Sequence, residues 1–196
     1  MNFAEFFQKI TACVAICGLA ACVSQTSPDH SPSSFNRSEA VKARINLALA
    51  YLEQNDLPKA KQNIDKALEH DRNDYLPHSV LAYYYQQIGD ISQAEQSYQT
   101  ALSLSEKQGN EKQPRPDVLN NYGTFLCKQG KFEQAYSQFE QALKGQQPYY
   151  HQADTLENIA LCANRANHRQ RQSEALKQLA KFDPARVATL EALFVP

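Results

Sequence analysis

The sequence predicts an all-α chain of stacked helix hairpins, and three observations carry that expectation. Ala60-x3-Ile64-x2-Ala67 recurs 34 residues later as Ala94-x3-Tyr98-x2-Ala101, and again 41 residues further on as Ala135-x3-Phe139-x2-Ala142. Upstream of each copy lies a stretch of matching phase: Leu47, Ala48 and Tyr51, then Leu81, Ala82 and Tyr85, then Tyr122, Gly123 and Leu126. Glycine is scarce and marks breaks, at Gly89-Asp90, Gly130-Lys131 and Gly145, and no segment reads as a strand. A fixed period of this length describes units that bury their apolar faces on their neighbours.

Each element follows from its turn. Asn36-x-x-Glu39 is a capping box that opens the first helix. Asn55-Asp56 breaks that helix, and Pro58 falls in the opening turn of the next, where a missing N–H costs nothing. With Val41 as position one, small, large and small residues fall at positions eight, eleven and twenty, the pattern of tetratricopeptide repeats. The resemblance implies a right-handed superhelix over 37–184, with repeats near 41–74, 75–108, 116–149 and 153–186. Glu106 to Arg115 adds seven residues between the second and third units, expected as a longer helix end and a polar loop. The fourth unit is degenerate: Leu156, Ile159, Ala160 and Ala163 fit its first helix and Leu176, Leu179 and Pro184 its second, but Gln172 replaces the alanine at position twenty. Over 185–196, Leu190, Leu193 and Phe194 match the first helix of a fifth unit. Two readings stay open there, a short amphipathic cap and a truncated repeat.

The N-terminus carries an address. Residues 10–21 form an apolar run of signal-peptide length, too short to span a bilayer, ending in Leu19-Ala20-Ala21-Cys22. That ending resembles the bacterial lipobox, so 1–21 is expected to be a lipoprotein signal peptide and Cys22 the lipid attachment site. The Ser/Pro-rich stretch that follows, within 22–36, suits a tether. Two or three acyl chains, at about 0.8 kcal/mol per buried CH2, anchor far better than one. Val23 stands where, in the lipoproteins this resembles, Asp would favour inner-membrane retention, so the expected location is the periplasmic face of the outer membrane.

Composition excludes several classes. With 20 Lys+Arg against 21 Asp+Glu, and both signs interspersed, there is no basic stripe for nucleic acid. His30, His70, His78, His151 and His168 are scattered, with no His-Glu-x-x-His, no phosphate loop and no Gly-x-Ser-x-Gly. No enzyme, metal, cofactor or small-molecule substrate is expected, and the chain is expected to be monomeric. With the signal removed and Cys22 lipidated, Cys127 and Cys162 remain, on the first helices of neighbouring units. Those helices pack side by side, and an oxidising periplasm permits a disulfide. The alternative is two buried cysteines acting as small hydrophobes.

Asn120-Asn121-Tyr122-Gly123-Thr124-Phe125-Leu126-Cys127, followed by Leu156-Glu157-Asn158-Ile159-Ala160-Leu161-Cys162, resembles the paired signature of the PilF/PilW type IV pilus biogenesis lipoproteins, called pilotins where they assist the secretin. Asn46-Leu47-Ala48-Leu49-Ala50-Tyr51-Leu52 and Ala82-Tyr83-Tyr84-Tyr85-Gln86 resemble the family's first two repeats. The resemblance implies an outer-membrane lipoprotein that binds the pilus secretin and promotes its localisation and multimerisation. Members usually have about six repeats, more than this sequence shows. The lipobox and repeats without the paired signature also fit a periplasmic scaffold for cell-wall enzymes or outer-membrane protein assembly.

First helices line the concave face of such a superhelix, with positions two, five, six, nine, twelve and thirteen pointing inward. Asn46, Asn121 and Asn158 all fall at position six, where a carboxamide can serve an extended peptide backbone. Tyr83, Gln86, Gln87, Asn120, Thr124, Glu157 and Arg165 complete the expected partner-binding groove. Against this stands the reading that the asparagines satisfy neighbouring groups within the stack. An apolar groove between the outer helices is a second candidate surface.

Overall fold

The computed structural model describes residues 36–108, 113–145 and 149–194; the expected signal peptide, Cys22 and most of the expected tether lie outside the described residues. The described residues form nine helices and no strand: α1 Arg37–Glu53, α2 Leu57–His70, α3 Tyr75–Gln87, α4 Ile91–Gln108, α5 Pro116–Lys128, α6 Phe132–Lys144, α7 Gln152–Arg165, α8 Arg169–Leu179 and α9 Pro184–Phe194. Consecutive helices pack as four hairpins, α1 on α2 through α7 on α8, each stacked on the next, which is the tetratricopeptide fold.

One local device makes all four hairpin turns. Asn55, Gly89, Gly130 and Asn167, each at position fifteen, take positive φ of 57°, 79°, 75° and 57°. The following N–H then reaches back to the carbonyl at position eleven: Asp56 to Tyr51 at 2.8 Å, Asp90 to Tyr85 at 2.9 Å, Lys131 to Leu126 at 3.0 Å and His168 to Ala163 at 2.8 Å. Glycine and asparagine are the residues that enter this backbone region cheaply. Asp56, Asp74 and Asp90 accept backbone N–H bonds from Lys59, Leu76 and Gln93 and so start the next helices. Asn36 does the same for Glu39, but the Glu39 carboxylate pairs with Lys42 instead of closing a box.

Small residues set the hairpin crossings. Ala48, Ala82 and Ala160 at position eight and Ala60, Ala94 and Ala135 at position twenty are fully buried. Gly123 takes the third crossing because a Cβ there would lie 2.6 Å from Phe139 Cε1. The apolar interior falls into two clusters. One is built on Val41, Ile45, Leu52, Ile64 and Val80. The other runs from Ala82 and Tyr98 through Tyr122, Phe125 and Phe139 to Leu179 and Leu190.

At the C-terminal end one expectation changes, that for Pro184. In α8 the buried residues are Ala175 and Leu179, while Gln172 and Leu176 are half-buried, because their side faces the open edge towards α9. Pro184 opens α9 and does not close the fourth hairpin; lacking an N–H, it suits a first turn. Leu190 is 2% exposed and Phe194 half-buried, whereas Leu193 is 67% exposed and packs on nothing comparable. Arg186 holds α9 in place, reaching Asp154 at 2.6 Å and Glu157 at 3.1 Å on α7, and Asp183 at 3.3 Å.

Candidate partner-binding cleft

On the concave face, α1, α3, α5 and α7 enclose a cleft of about 280 Å³. Tyr83 and Gln86 come from α3, Asn120, Asn121, Thr124 and Lys128 from α5, and Asn158 from α7, with Tyr98 of α4 in the floor. Tyr98 stacks at 5.5 Å on Tyr122 and 5.3 Å on Phe125, and burial pushes its phenol well above the ordinary range, so it stays neutral. Ser79, Val80 and Leu49 complete the wall.

Six of the ten expected groove residues are brought together there. Asn120 and Asn158 are also engaged within the stack. Asn120 Oδ1 accepts from Thr155 Oγ1 and from Asn158 Nδ2, both at 3.0 Å, and the buried Thr155 hydroxyl meets the Tyr149 hydroxyl at 2.6 Å. For these two asparagines the structure shows packing within the stack; Asn121 and Tyr83 remain exposed to the cleft. Four residues sit apart from the cleft lining. Asn46 and Gln87 are exposed elsewhere on α1 and α3. Glu157 is engaged by Arg186 of α9, and Arg165 donates from Nη2 to the Lys128 carbonyl at 3.4 Å.

Leu49, Ser79 and Lys128 also line the cleft and were not among the expected residues, although they hold positions nine, five and thirteen, which point inward. A leucine gives no polar signal of a binding wall. The lysine does, and its inward position could have identified it.

Two of the first helices are stitched covalently as well. Cys127 and Cys162, 35 residues apart, are joined with an S–S distance of 2.10 Å and a Cα–Cα distance of 5.8 Å. With the Asn120–Asn158 bond, this fixes α5 against α7 along their length.

Two other hollows exist. Between α6 and α8 a furrow of about 410 Å³ has Leu143, Leu156, Ile159 and Ala175 inside and Glu140, Lys144, Arg171 and Glu174 on its rim. It corresponds to the outer groove expected as the second candidate surface. A larger, more open hollow of about 600 Å³ lies between α8 and α9, walled by Leu176, Val187 and Phe194. Size does not rank them, since the larger hollow is a gap between two loosely packed helices at the edge of the stack. Among the described residues no group of His, Cys, Asp and Glu is arranged to hold a metal, and no helix is long and apolar enough to cross a membrane.

Known proteins share this architecture. A tetratricopeptide-repeat profile matches residues 41–74 and 78–108. The chain is 51% identical over 174 residues to an uncharacterized protein of Haemophilus influenzae, covering 89% of this chain and 90% of that one. It is 35% identical over 127 residues to the type IV pilus assembly protein PilF of Pseudomonas aeruginosa, covering 64% of this chain and 47% of PilF. It thus spans about half the length of that relative. The solved structure of Pseudomonas aeruginosa PilF superimposes with a TM-score of 0.66 at 28% identity, over 76% of this chain and 63% of that one. PilW, described as a widely conserved type IV pilus biogenesis factor, superimposes with a TM-score of 0.64 at 23% identity, over 78% and 70%, a likeness of fold. A repeat scaffold of this kind acts by binding other proteins, not by catalysis.

Proposed function

Because the chain belongs to the same family as the Haemophilus influenzae protein, and is a tetratricopeptide-repeat homologue of the type IV pilus proteins PilF and PilW, we propose that it binds the pilus secretin and promotes its multimerisation at the outer membrane. In this reading it is a monomeric lipoprotein, anchored through Cys22 on the periplasmic face, and the concave cleft receives a segment of the secretin. The observation that carries the reading is the homology to PilF. The strings that resemble that family's signature, Asn120 to Cys127 and Leu156 to Cys162, are the ones whose asparagines and cysteines bond to each other across α5 and α7. Rigid first helices with exposed Tyr83 and Asn121 offer an extended chain one aromatic face and one carboxamide at little ordering cost.

The test is the state of the secretin in a deletion strain, read by unheated gel electrophoresis and by twitching motility. Loss of the multimer, restored by the wild-type gene but not by Cys22→Ala, is the expected result. Normal multimers with motility lost would move the role to pilus stability. If both persist, the periplasmic scaffold reading replaces this one.

A further inference from the structure

Taking the concave cleft as the partner site, as in the reading above, the geometry points to a ligand class: an extended, acidic segment, read by Gln86 from the cleft's wall and by Lys128 and Arg165 at its end. Gln86 lines the cleft, and its Oε1 is buried with no hydrogen-bond partner among the described residues. A buried acceptor left unmet is costly unless an incoming donor satisfies it, and an extended peptide presents N–H groups of that kind. The charge comes from the last turns of α5 and α7. Lys128 and Arg165 are both exposed, and the Arg165 guanidinium lies 3.4 Å from the Lys128 carbonyl. Neither forms an ion pair among the described residues. No carboxylate lines the cleft beside them. Two adjacent unpaired cations, at the end of a cleft lined otherwise by amides, hydroxyls, tyrosines, Leu49 and Val80, select a carboxylate on whatever enters.

Helix-terminal cations also complement the helix dipole, a role that needs no ligand. The experiment separates the two. Two sets of short immobilised synthetic peptides are probed with the whole folded chain: one tiles the periplasmic part of the pilus secretin, the other has random sequences graded from basic to acidic. Acidic peptides of both sets should be retained, less so as salt rises. Lys128→Glu combined with Arg165→Glu should lower that retention about tenfold or more, while Lys144→Glu on the outer furrow leaves it unchanged. Gln86→Met keeps the shape and removes the acceptor, so it should raise the melting temperature and lower retention together. A random set without acidic preference, retention indifferent to charge reversal at Lys128 and Arg165, or Gln86→Met lowering both readouts overturns the inference. Acidic preference in the random set with no secretin peptide retained upholds it and removes the secretin as the partner.

Discussion

A Cβ added to Gly123 would meet the fully buried ring of Phe139, which is hemmed in by the third hairpin. Gly123→Ala is therefore expected to cost about 1–3 kcal/mol by overpacking, and Ala94→Leu a similar amount at the second crossing. Thermal melts followed by circular dichroism check both; an unchanged midpoint would mean the crossing can open. Cys127→Ser removes a link closing a loop of 35 residues and should cost on the order of 3–4 kcal/mol in the chain-entropy account. Urea unfolding of the oxidised protein against the variant measures it. The small residues at positions eight and twenty were legible because an alanine repeated at one phase of an apolar frame marks a place where two helices approach too closely for a larger side chain. The duty of Asn120 was not legible. A carboxamide on a first helix serves a ligand or a neighbouring helix equally well, and only the 3.0 Å bonds to Thr155 and Asn158 decide.

At the scale of elements, α9 is held by the Arg186 ion pairs as well as by Leu190, Val187 and Phe194 on the larger apolar cluster. The Arg186 guanidinium, hydrogen-bonded to Asp154, holds that carboxyl below its ordinary value of 3.8, with His151 adding to the effect. A depressed carboxyl contributes its stabilisation fully above the ordinary value and loses it as pH falls beneath. Protection over 184–194, taken as exchange relative to the intrinsic rate at each pH, should therefore fall below about pH 4 and stay flat from neutrality down to about pH 5. Arg186→Gln should produce the lowered protection already at pH 7 while α5 keeps its own. Equal protection in wild type and variant would assign the hold to Leu190, Val187 and Phe194 alone. The face of α9 that would meet a second helix carries Val187, Glu191 and Phe194.

Across the whole stack, stability is shared between neighbours, and the two apolar clusters divide it unevenly. The first repeat has its own small cluster. Its Leu47 is 45% exposed where the corresponding Tyr122 and Ile159 are 8%, because among the described residues nothing packs on that side. The third and fourth repeats share the larger cluster, the disulfide and the asparagine stitch. Native-state hydrogen exchange should accordingly show α1 and α2 opening at lower free energy than α5 and α7. Reduction of the disulfide should narrow that gap; a uniform profile in both states would mean the stack unfolds as one unit.

Residue spacing along the chain was enough to dictate the all-α repeat architecture, the register of the four hairpins and most of the residues of the concave wall. Spacing survives in one dimension: 34 residues is one hairpin, and an alanine at a crossing is an alanine wherever the chain is read. Packing in three dimensions was needed to show which asparagines are free to meet a partner, that Glu157 belongs to the α9 lock, and that Gln86, lining the same cleft as Lys128, holds an unmet acceptor. Those properties depend on what stands within a hydrogen bond's reach of each polar atom. That neighbour is contributed by a helix some 30 residues or more away in Arg186–Glu157 or Asn120–Asn158, and no period encodes its identity.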